Sequence, residues 1–150
     1  MFKKASLIAL GLAGLAIADT EFSTHTLFRP HSCTDTSDKV KSNDLVTMHY
    51  TVTIAPNSAA GRPGTVVEST QRRQPLRFAV GFDEVVPGLE KGIIGMCVGE
   101  KRRITVPPSL GYGRQGFGNV PPNASLEFTV ELLKIEEVPN LFAGKWSICT

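Results

Sequence analysis

The chain has 150 residues, of which 41% are hydrophobic and 20% are charged, and its formal net charge is +2 at pH 7. This length suits one globular domain with its own buried core. Acidic and basic residues are nearly equal in number, so the chain has no strong excess of positive charge. Binding to nucleic acid or to an anionic membrane surface would require such an excess, and neither is expected as a partner.

The first 18 residues differ from everything that follows. Lys3 and Lys4 precede an apolar run over residues 5–17, and Ala16-Ile17-Ala18 has the small-x-small pattern of a signal-peptidase site. The run is shorter than the roughly 20 residues that a membrane-spanning helix needs, and no later segment resembles a span. We therefore predict a signal peptide over residues 1–18, removed on entry to the secretory pathway; a buried helix of the folded domain is the alternative.

Three cysteines, Cys33, Cys97 and Cys149, would then enter an oxidising compartment, where thiols tend to pair. The sequence alone leaves three pairings open, and one cysteine must remain over. The histidines show no ligand-like spacing with the cysteines, so no metal site is expected.

The next elements, in chain order, are mostly strands. Residues 19–44 are polar and lack periodicity, which predicts an extended or irregular lead-in. Residues 45–54 alternate between apolar and polar side chains, the pattern of a half-buried strand. After a loop rich in glycine and proline, short strands are predicted over residues 65–68 and 76–80, with a polar turn between them.

The spacing of the apolar residues then changes from every second residue, as in a strand, to about every 3.6 residues, as in a helix. Residues 82–95 place apolar side chains at helical offsets, with Pro87 where a first-turn proline is tolerated and Gly95 where a helix can end. Strands are predicted again over residues 100–106 and 125–137. A tail covers residues 139–150. The pattern predicts an α+β fold in which about five antiparallel strands wrap around one short helix.

The loop between the last two strands contains Gly111-Tyr112-Gly113-Arg114-Gln115-Gly116, which matches a dinucleotide-binding pattern. Prolines flank it on both sides and no helix follows, so it lacks the helix amino terminus that would hold a pyrophosphate. We interpret it as a glycine-rich loop. No nucleophile elbow, zinc-protease motif or carboxylate pair appears, and no cofactor is expected. Lys101-Arg102-Arg103 is interpreted as a solvated strand face.

Four segments resemble the FKBP family, whose members are peptidyl-prolyl cis/trans isomerases that bind tacrolimus and rapamycin. They are TMHYTV (47–52), FAVGFDEVVPGLEKGIIG (78–95), GMCVGEKRRITVPPSLGYG (95–113) and VPPNASLEFTVELLKIEE (120–137). The resemblance implies an isomerase domain over residues 45–138, built as an antiparallel half-barrel around the helix, with an apolar pocket between the two.

The resemblance also implies which residues form the site. The Val86 backbone amide and the Tyr112 hydroxyl would bind substrate carbonyls, and the Glu68 carboxylate, with Arg72 or Arg73 as its partner, would lie beside the amide. The implied catalytic set is Tyr50, Glu68, Val86, Tyr112 and Phe128. The implied pocket lining is Val67, Leu76, Phe78, Val85, Leu89, Phe117 and Val120.

This chain departs from the family pattern at several of these positions. Leu89 replaces a usual tryptophan at the pocket floor, Val67 and Glu68 replace phenylalanine and aspartate, and Leu76 replaces another frequent phenylalanine. Loss of aromatic contact area predicts reduced isomerase activity and weaker binding of tacrolimus or rapamycin. A binding module or chaperone without catalysis is the alternative function.

By the same resemblance, Cys33 and Cys97 form a disulfide and leave Cys149 over. The clients would be proline-containing polypeptides. Together with the signal peptide, the resemblance implies a location in the endoplasmic reticulum lumen or outside the cell, and Ser147-Ile148-Cys149-Thr150 does not match a retrieval signal. A monomer is the default. Asn123-Ala124-Ser125 is a glycosylation sequon whose use the sequence leaves undecided.

Overall fold

The computed structural model of the chain describes residues 20–138, which form one antiparallel sheet and one α-helix. The elements are β1 Ser23–Phe28, β2 Asp44–Ile54, β3 Val66–Ser69, β4 Leu76–Ala79, α1 Pro87–Ile93, β5 Lys101–Val106 and β6 Leu126–Glu137. Between β5 and β6 the chain makes a 3-10 turn over Pro108–Leu110.

The sheet has the strand order β1-β5-β6-β2-β3, and β4 also pairs with β2. The two longest strands, β2 and β6, form its centre in a register that runs from Asp44 opposite Glu137 to Ile54 opposite Leu126. All pairings are antiparallel, and α1 packs against β5. The predicted α+β class, with an antiparallel sheet and one short helix, is confirmed.

The sheet has six strands where about five were predicted, because the lead-in contributes β1. Every side chain from Ser23 to Phe28 is exposed, so this strand shows no apolar alternation. It is held by backbone pairing with β5, from Ser23 opposite Thr105 to Phe28 opposite Lys101. A strand that lies on the edge of the sheet and buries neither face leaves no periodic signal in the sequence.

The core lies between the sheet and α1. Successive residues of β2 alternate between buried and half-buried, as the sequence pattern predicted. The inward side chains of β2, β5 and β6 pack together with Leu89 and Ile93 of α1. This packing places the amino-terminal end of the helix next to the central strands.

Two glycines allow α1 to lie directly on β5. A Cβ atom at Gly88 would come within 2.4 Å of Val106, and one at Gly92 within 2.5 Å of Ile104. Glycine weakens a helix by about 1 kcal/mol relative to alanine, so tertiary contacts rather than propensity stabilise these seven residues. The helix is shorter than the predicted range of 82–95.

Lys101-Arg102-Arg103, at the start of β5, was interpreted as a solvated strand face. That interpretation is wrong at Arg102. Lys101 and Arg103 are exposed, but Arg102 turns inward with only 9% of its surface exposed and forms an ion pair with Glu100, which is fully buried. Alternation along a strand sends every second residue to the core side, whatever its charge. The buried pair satisfies both charges.

The disulfide between Cys33 and Cys97 is present, with 5.8 Å between the two Cα atoms, which confirms the pairing. The predicted signal peptide, the tail and Cys149 lie outside the described residues. Within residues 20–138, no helix combines the length and the hydropathy needed to cross a membrane.

Candidate active site

A cavity of about 190 Å³ lies where α1 begins, between the β2–β6 pair and the loop that follows β5. Aromatic and aliphatic side chains form most of its wall. Its lining residues are Tyr50, Val52, Glu68, Leu76, Glu84, Val85, Val86, Leu89, Tyr112 and Phe128. All five residues of the implied catalytic set are therefore gathered in one place.

The aromatic wall follows from strand register. Val52 of β2 lies opposite Phe128 of β6, and Tyr50 lies opposite Val130. The Tyr50 and Phe128 rings point to the same face of the sheet, with centroids 6.4 Å apart and planes inclined by 41°. This tilted arrangement is one that aromatic pairs favour.

Thr70 fixes the backbone of Tyr50. The Thr70 hydroxyl accepts a hydrogen bond of 2.9 Å from the Tyr50 N–H, and the Thr70 N–H donates one of 2.9 Å to the Tyr50 carbonyl. His49 Nδ1 lies 3.1 Å from the same hydroxyl. These contacts tie the end of β3 to β2 and hold the tyrosine in position over the cavity.

The floor and one edge of the cavity come from α1. Leu89 is buried at the floor. Val86 precedes the helix, and its carbonyl accepts a hydrogen bond of 3.0 Å from the Leu89 N–H. Among the described residues, the Val86 N–H has no hydrogen-bond acceptor. It is thus a free backbone donor at the edge of an apolar cavity.

Both tyrosines of the site keep their protons at neutral pH. Burial raises the pKa of the Tyr50 phenol far above its ordinary value, and the nearby Glu68 carboxylate raises it further. The pKa of Tyr112 is also raised, first by burial and then by Glu68. Each phenol is therefore protonated and can donate a hydrogen bond, in the case of Tyr50 with Glu68 as a nearby acceptor.

A spectrophotometric titration tests these surroundings, because Tyr50 and Tyr112 are the only tyrosines in the chain. We expect both phenols of the native protein to ionise above the ordinary value of about 10. The folded state then keeps protons that the unfolded state releases, so stability should fall as pH rises above about 10. The Tyr50→Phe variant assigns the remaining transition to Tyr112. A native phenol that titrates at the unfolded value would contradict the proposed burial.

A second cleft, of about 620 Å³, continues from the cavity past Glu68 and Tyr112. Val67, Phe117 and Val120 lie in this cleft rather than in the smaller cavity. The Phe117 ring stacks on that of Tyr112 with centroids 5.3 Å apart and planes 15° apart. The implied residues thus divide between two adjoining spaces.

One pocket assignment requires correction. Phe78 lines neither space and is buried in the core, opposite Val46 of β2. Leu76 and Phe78 share a face of β4, but only the Leu76 end of that strand reaches the cavity. The face of a strand can be predicted from alternation, whereas its distance from the site cannot.

The expected partner of Glu68 is also missing. Arg73 lines the same cleft, yet within residues 20–138 Glu68 forms no ion pair, either with Arg73 or with Arg72. The Glu68 carboxylate instead lies beside the phenols of Tyr50 and Tyr112.

Two lining residues were not predicted. Val52 lies two positions beyond Tyr50 on β2, so alternation alone would have placed it on the same face. Glu84 carries no such signal. Its carboxylate accepts a hydrogen bond of 3.2 Å from the Ala79 N–H, and this contact closes the turn between β4 and α1.

Two other features of the described chain do not compete with this site. A larger opening of about 890 Å³ lies beside residues 20–22 and 107–109 and contains none of the implied site residues. Cys33, Cys97 and Glu100 place possible ligand atoms within 4.8 Å of one another. The two sulfurs are bonded to each other and Glu100 is bonded to Arg102 and Cys97, so this cluster offers no free ligand.

Comparison with known proteins decides the family. A model of the FKBP-type peptidyl-prolyl cis-trans isomerase family matches residues 36–133. The chain belongs to this family. The enzyme class that the sequence resemblance implied, an FKBP-type peptidyl-prolyl cis-trans isomerase, is thereby confirmed.

Curated FKBP relatives cover most of the chain. FK506-binding protein 2 of Yarrowia lipolytica is 45% identical over 71% of this chain and 69% of its own length. FK506-binding protein 2 of Dictyostelium discoideum is 39% identical over 86% of this chain and 93% of its own length. Peptidyl-prolyl cis-trans isomerase FKBP14 of Mus musculus is 38% identical over 85% of this chain but only 58% of its own length.

A solved structure shares the FKBP fold. FkpA from Escherichia coli superposes with a TM-score of 0.64 at 26% sequence identity, covering 81% of this chain and 54% of that one. This chain therefore spans little more than half the length of FkpA and of mouse FKBP14. What those longer proteins do as a whole does not transfer with the shared domain.

Proposed function

We propose that this protein accelerates the isomerisation of X-Pro bonds in polypeptides that fold in the secretory pathway, in the endoplasmic reticulum lumen or outside the cell. One observation carries the proposal. A single apolar cavity brings together Tyr50, Tyr112 and Phe128 with the unpaired N–H of Val86.

The reaction suits a cavity without an acid, a base or a metal. Rotation about an X-Pro bond breaks amide resonance and makes or breaks no covalent bond, and its intrinsic barrier is about 18–20 kcal/mol. The twisted amide is less polar than the planar one, so an apolar wall favours it. Each 1.4 kcal/mol or so of preferential binding to the twisted state gives about a tenfold acceleration.

Each group has a defined task in this scheme. Leu89 and the Phe128 ring enclose the prolyl ring, since both are buried at the cavity wall. The Val86 N–H and the Tyr112 hydroxyl donate hydrogen bonds to substrate carbonyls on either side of the bond that rotates. The Glu68 carboxylate lies at the junction of cavity and cleft, beside the amide of the bound substrate.

The disulfide and the amino-terminal segment support the proposed compartment. Disulfides persist in oxidising compartments and are rare in the cytosol. The Cys33–Cys97 bridge therefore agrees with residues 1–18 acting as a signal peptide.

The same cavity is the proposed site for tacrolimus or rapamycin, bound with reduced affinity. Leucine at the floor and valine at position 67 offer less contact area than the aromatic residues usual in the family. The cavity volume of about 190 Å³ is below the 300–1,000 Å³ or so typical of drug-sized ligands, so a macrolide must also use the adjoining cleft.

A second candidate function, binding of clients without catalysis, is favoured by the mouth of the cleft. Phe117 is 70% exposed and Val66 is 59% exposed, and both line it. Exposed apolar side chains beside a cleft are typical of protein-binding surfaces. With this function, the protein would bind unfolded clients at the cleft, and their X-Pro bonds would isomerise at the uncatalysed rate.

A protease-free isomerisation assay separates the two functions. We expect the wild-type protein to accelerate exchange in a proline peptide, and Tyr112→Phe to lower kcat/KM about three- to tenfold, the value of one hydrogen bond of about 0.5–1.5 kcal/mol. The ring and its stacking on Phe117 are retained in this variant. A wild-type protein that binds unfolded clients but leaves the exchange rate at background would exclude the enzyme and support the binding module.

A further inference from the structure

Arg102 lies buried beneath the end of α1 and bonds to it directly. One guanidinium nitrogen, Nη1, donates hydrogen bonds of 2.9 Å to the Gly92 carbonyl and 3.0 Å to the Ile94 carbonyl. These are among the last carbonyls of the helix, which have no partner within it. Arg102 therefore holds α1 at its carboxyl-terminal end.

The other side of the guanidinium is fixed by Glu100. Its Nε and Nη2 atoms donate to Glu100 Oε1 at 3.1 Å and 2.7 Å. Glu100 Oε2 in turn accepts a hydrogen bond of 3.0 Å from the Cys97 N–H, next to the disulfide. Because every member of this buried network has partners, it has one favoured geometry.

Several contacts besides Arg102 restrain α1. Leu89 and Ile93 are buried in the core. The Gly81 N–H donates a hydrogen bond of 3.1 Å to Glu90 Oε1, and Val40 bonds to the segment just past the helix. The helix has seven residues, and its amino-terminal end has no side-chain cap.

The contact of α1 with β5 runs through Gly88 and Gly92, where the Val106 and Ile104 side chains occupy the space that a Cβ would need. This contact sets how close the helix lies to the strand. The two carbonyl contacts of Arg102 add directed hydrogen bonds at the helix end that oppose movement along the helix axis.

The axial position of α1 determines the geometry of the site. Leu89 forms the cavity floor one turn before the end of the helix, and Val86 lies immediately before the first turn. The helix rises about 1.5 Å per residue, so even a partial shift would move both groups by a sizeable part of an ångström. Catalytic groups tolerate displacements of only about 0.5 Å.

We propose that Arg102 is a positioning residue for isomerisation, which sets the height of Leu89 and of the Val86 N–H in the cavity by holding the end of α1. The inference rests on the proposed function. Arg102 does not line the cavity and touches no substrate. It acts through the helix, about two turns from the Val86 amide.

Arg102→Lys tests the proposal. Lysine keeps the positive charge opposite Glu100 but lacks the planar fork that reaches the carboxylate and both carbonyls together. We expect kcat/KM to fall about tenfold, chiefly through kcat, since small displacements remote from the reacting bond have effects of this size. The backbone amide signals of Val86 and Leu89 should shift in a ¹H–¹⁵N spectrum.

Arg103→Lys is the matched control, because Arg103 is the next residue of β5 and pairs at 3.5 Å with Glu127 away from the helix. It should leave kcat/KM and both amide signals unchanged. Glu100→Gln removes the charge but leaves the Arg102 contacts with α1. We expect it to lower stability while activity per folded molecule is retained.

If Arg102→Lys does not fold, the double variant Glu100→Gln/Arg102→Gln replaces it, since removing both charges leaves none buried and unpaired. Wild-type kcat/KM together with unshifted Val86 and Leu89 amides, in whichever of these two variants folds, would overturn the proposal. A wild-type protein without isomerase activity would instead overturn the proposed function, and the amide shifts would still test whether Arg102 positions α1.

Discussion

Replacing Cys33 and Cys97 together by serine is expected to lower the free energy of unfolding by about 2–5 kcal/mol. The bridge closes a loop between residues 64 positions apart, so the unfolded chain gains conformational entropy when the bridge is lost. In the folded state, the Val40 N–H donates to the Met96 carbonyl and the Gly95 N–H donates to the Val40 carbonyl, both at 2.9 Å and beside the disulfide. The segment before β2 and the exit of α1 are thus held together twice.

Denaturant unfolding followed by circular dichroism measures this effect. The oxidised wild type should unfold at a high denaturant midpoint. The reduced wild type and the double serine variant should unfold at lower midpoints that are similar to each other. A reduced wild type that is markedly less stable than the serine variant would show that reductant acts elsewhere. Equal midpoints for the oxidised wild type and the variant would contradict a stabilising role for the bridge.

Phe128→Ala is expected to remove most of the isomerase activity and to cost about 3–5 kcal/mol of stability. Phe128 is buried, lines the cavity and contacts Tyr50 across the central strand pair. Its truncation widens the cavity and admits water, which removes the preference for the less polar twisted amide. We expect a fall in kcat/KM of at least about tenfold.

Phe78→Ala is the matched control, because Phe78 is equally buried but lies outside the cavity. It should lose a similar amount of stability and retain its activity per folded molecule. Both variants must be assayed at a temperature at which the unfolding curves show them to be folded. If the two variants lose activity in parallel, the loss reflects damage to the core, and the assignment of Phe128 to the site fails.

Strong periodic patterns predicted most of the fold. The alternation in β2 and the apolar positions of β6 bury one face of each strand, and the change of period after residue 82, with Pro87 in the first turn, located α1. Each of these elements buries one face, and its apolar residues therefore recur at the spacing of a strand or a helix. β1 is held mainly by backbone pairing with β5, beside one side-chain hydrogen bond of 3.4 Å from Thr26 to Glu100, and backbone pairing leaves no mark on side-chain type.

The site was less accessible to pattern analysis. Tyr50, Tyr112 and Phe128 come from distant parts of the chain, and only the family resemblance predicted that they meet. Arg102 was misread because a charged residue among charged neighbours gives no sign that its partner, Glu100, is buried. Phe78 was placed in the pocket by the family resemblance, although only Leu76 of β4 lines the cavity and Phe78 lies in the core.

The pairing of β2 with β6 affects how the protein itself acquires its structure. Asp44 pairs with Glu137 and Ile54 with Leu126, so the two central strands lie near opposite ends of the described chain. During synthesis, at about 5–20 residues per second, β2 emerges several seconds before its partner exists. High contact order of this kind slows folding. A catalyst of folding with this topology is a late folder, whose own strand β2 cannot complete its central pairing until β6 has been synthesised.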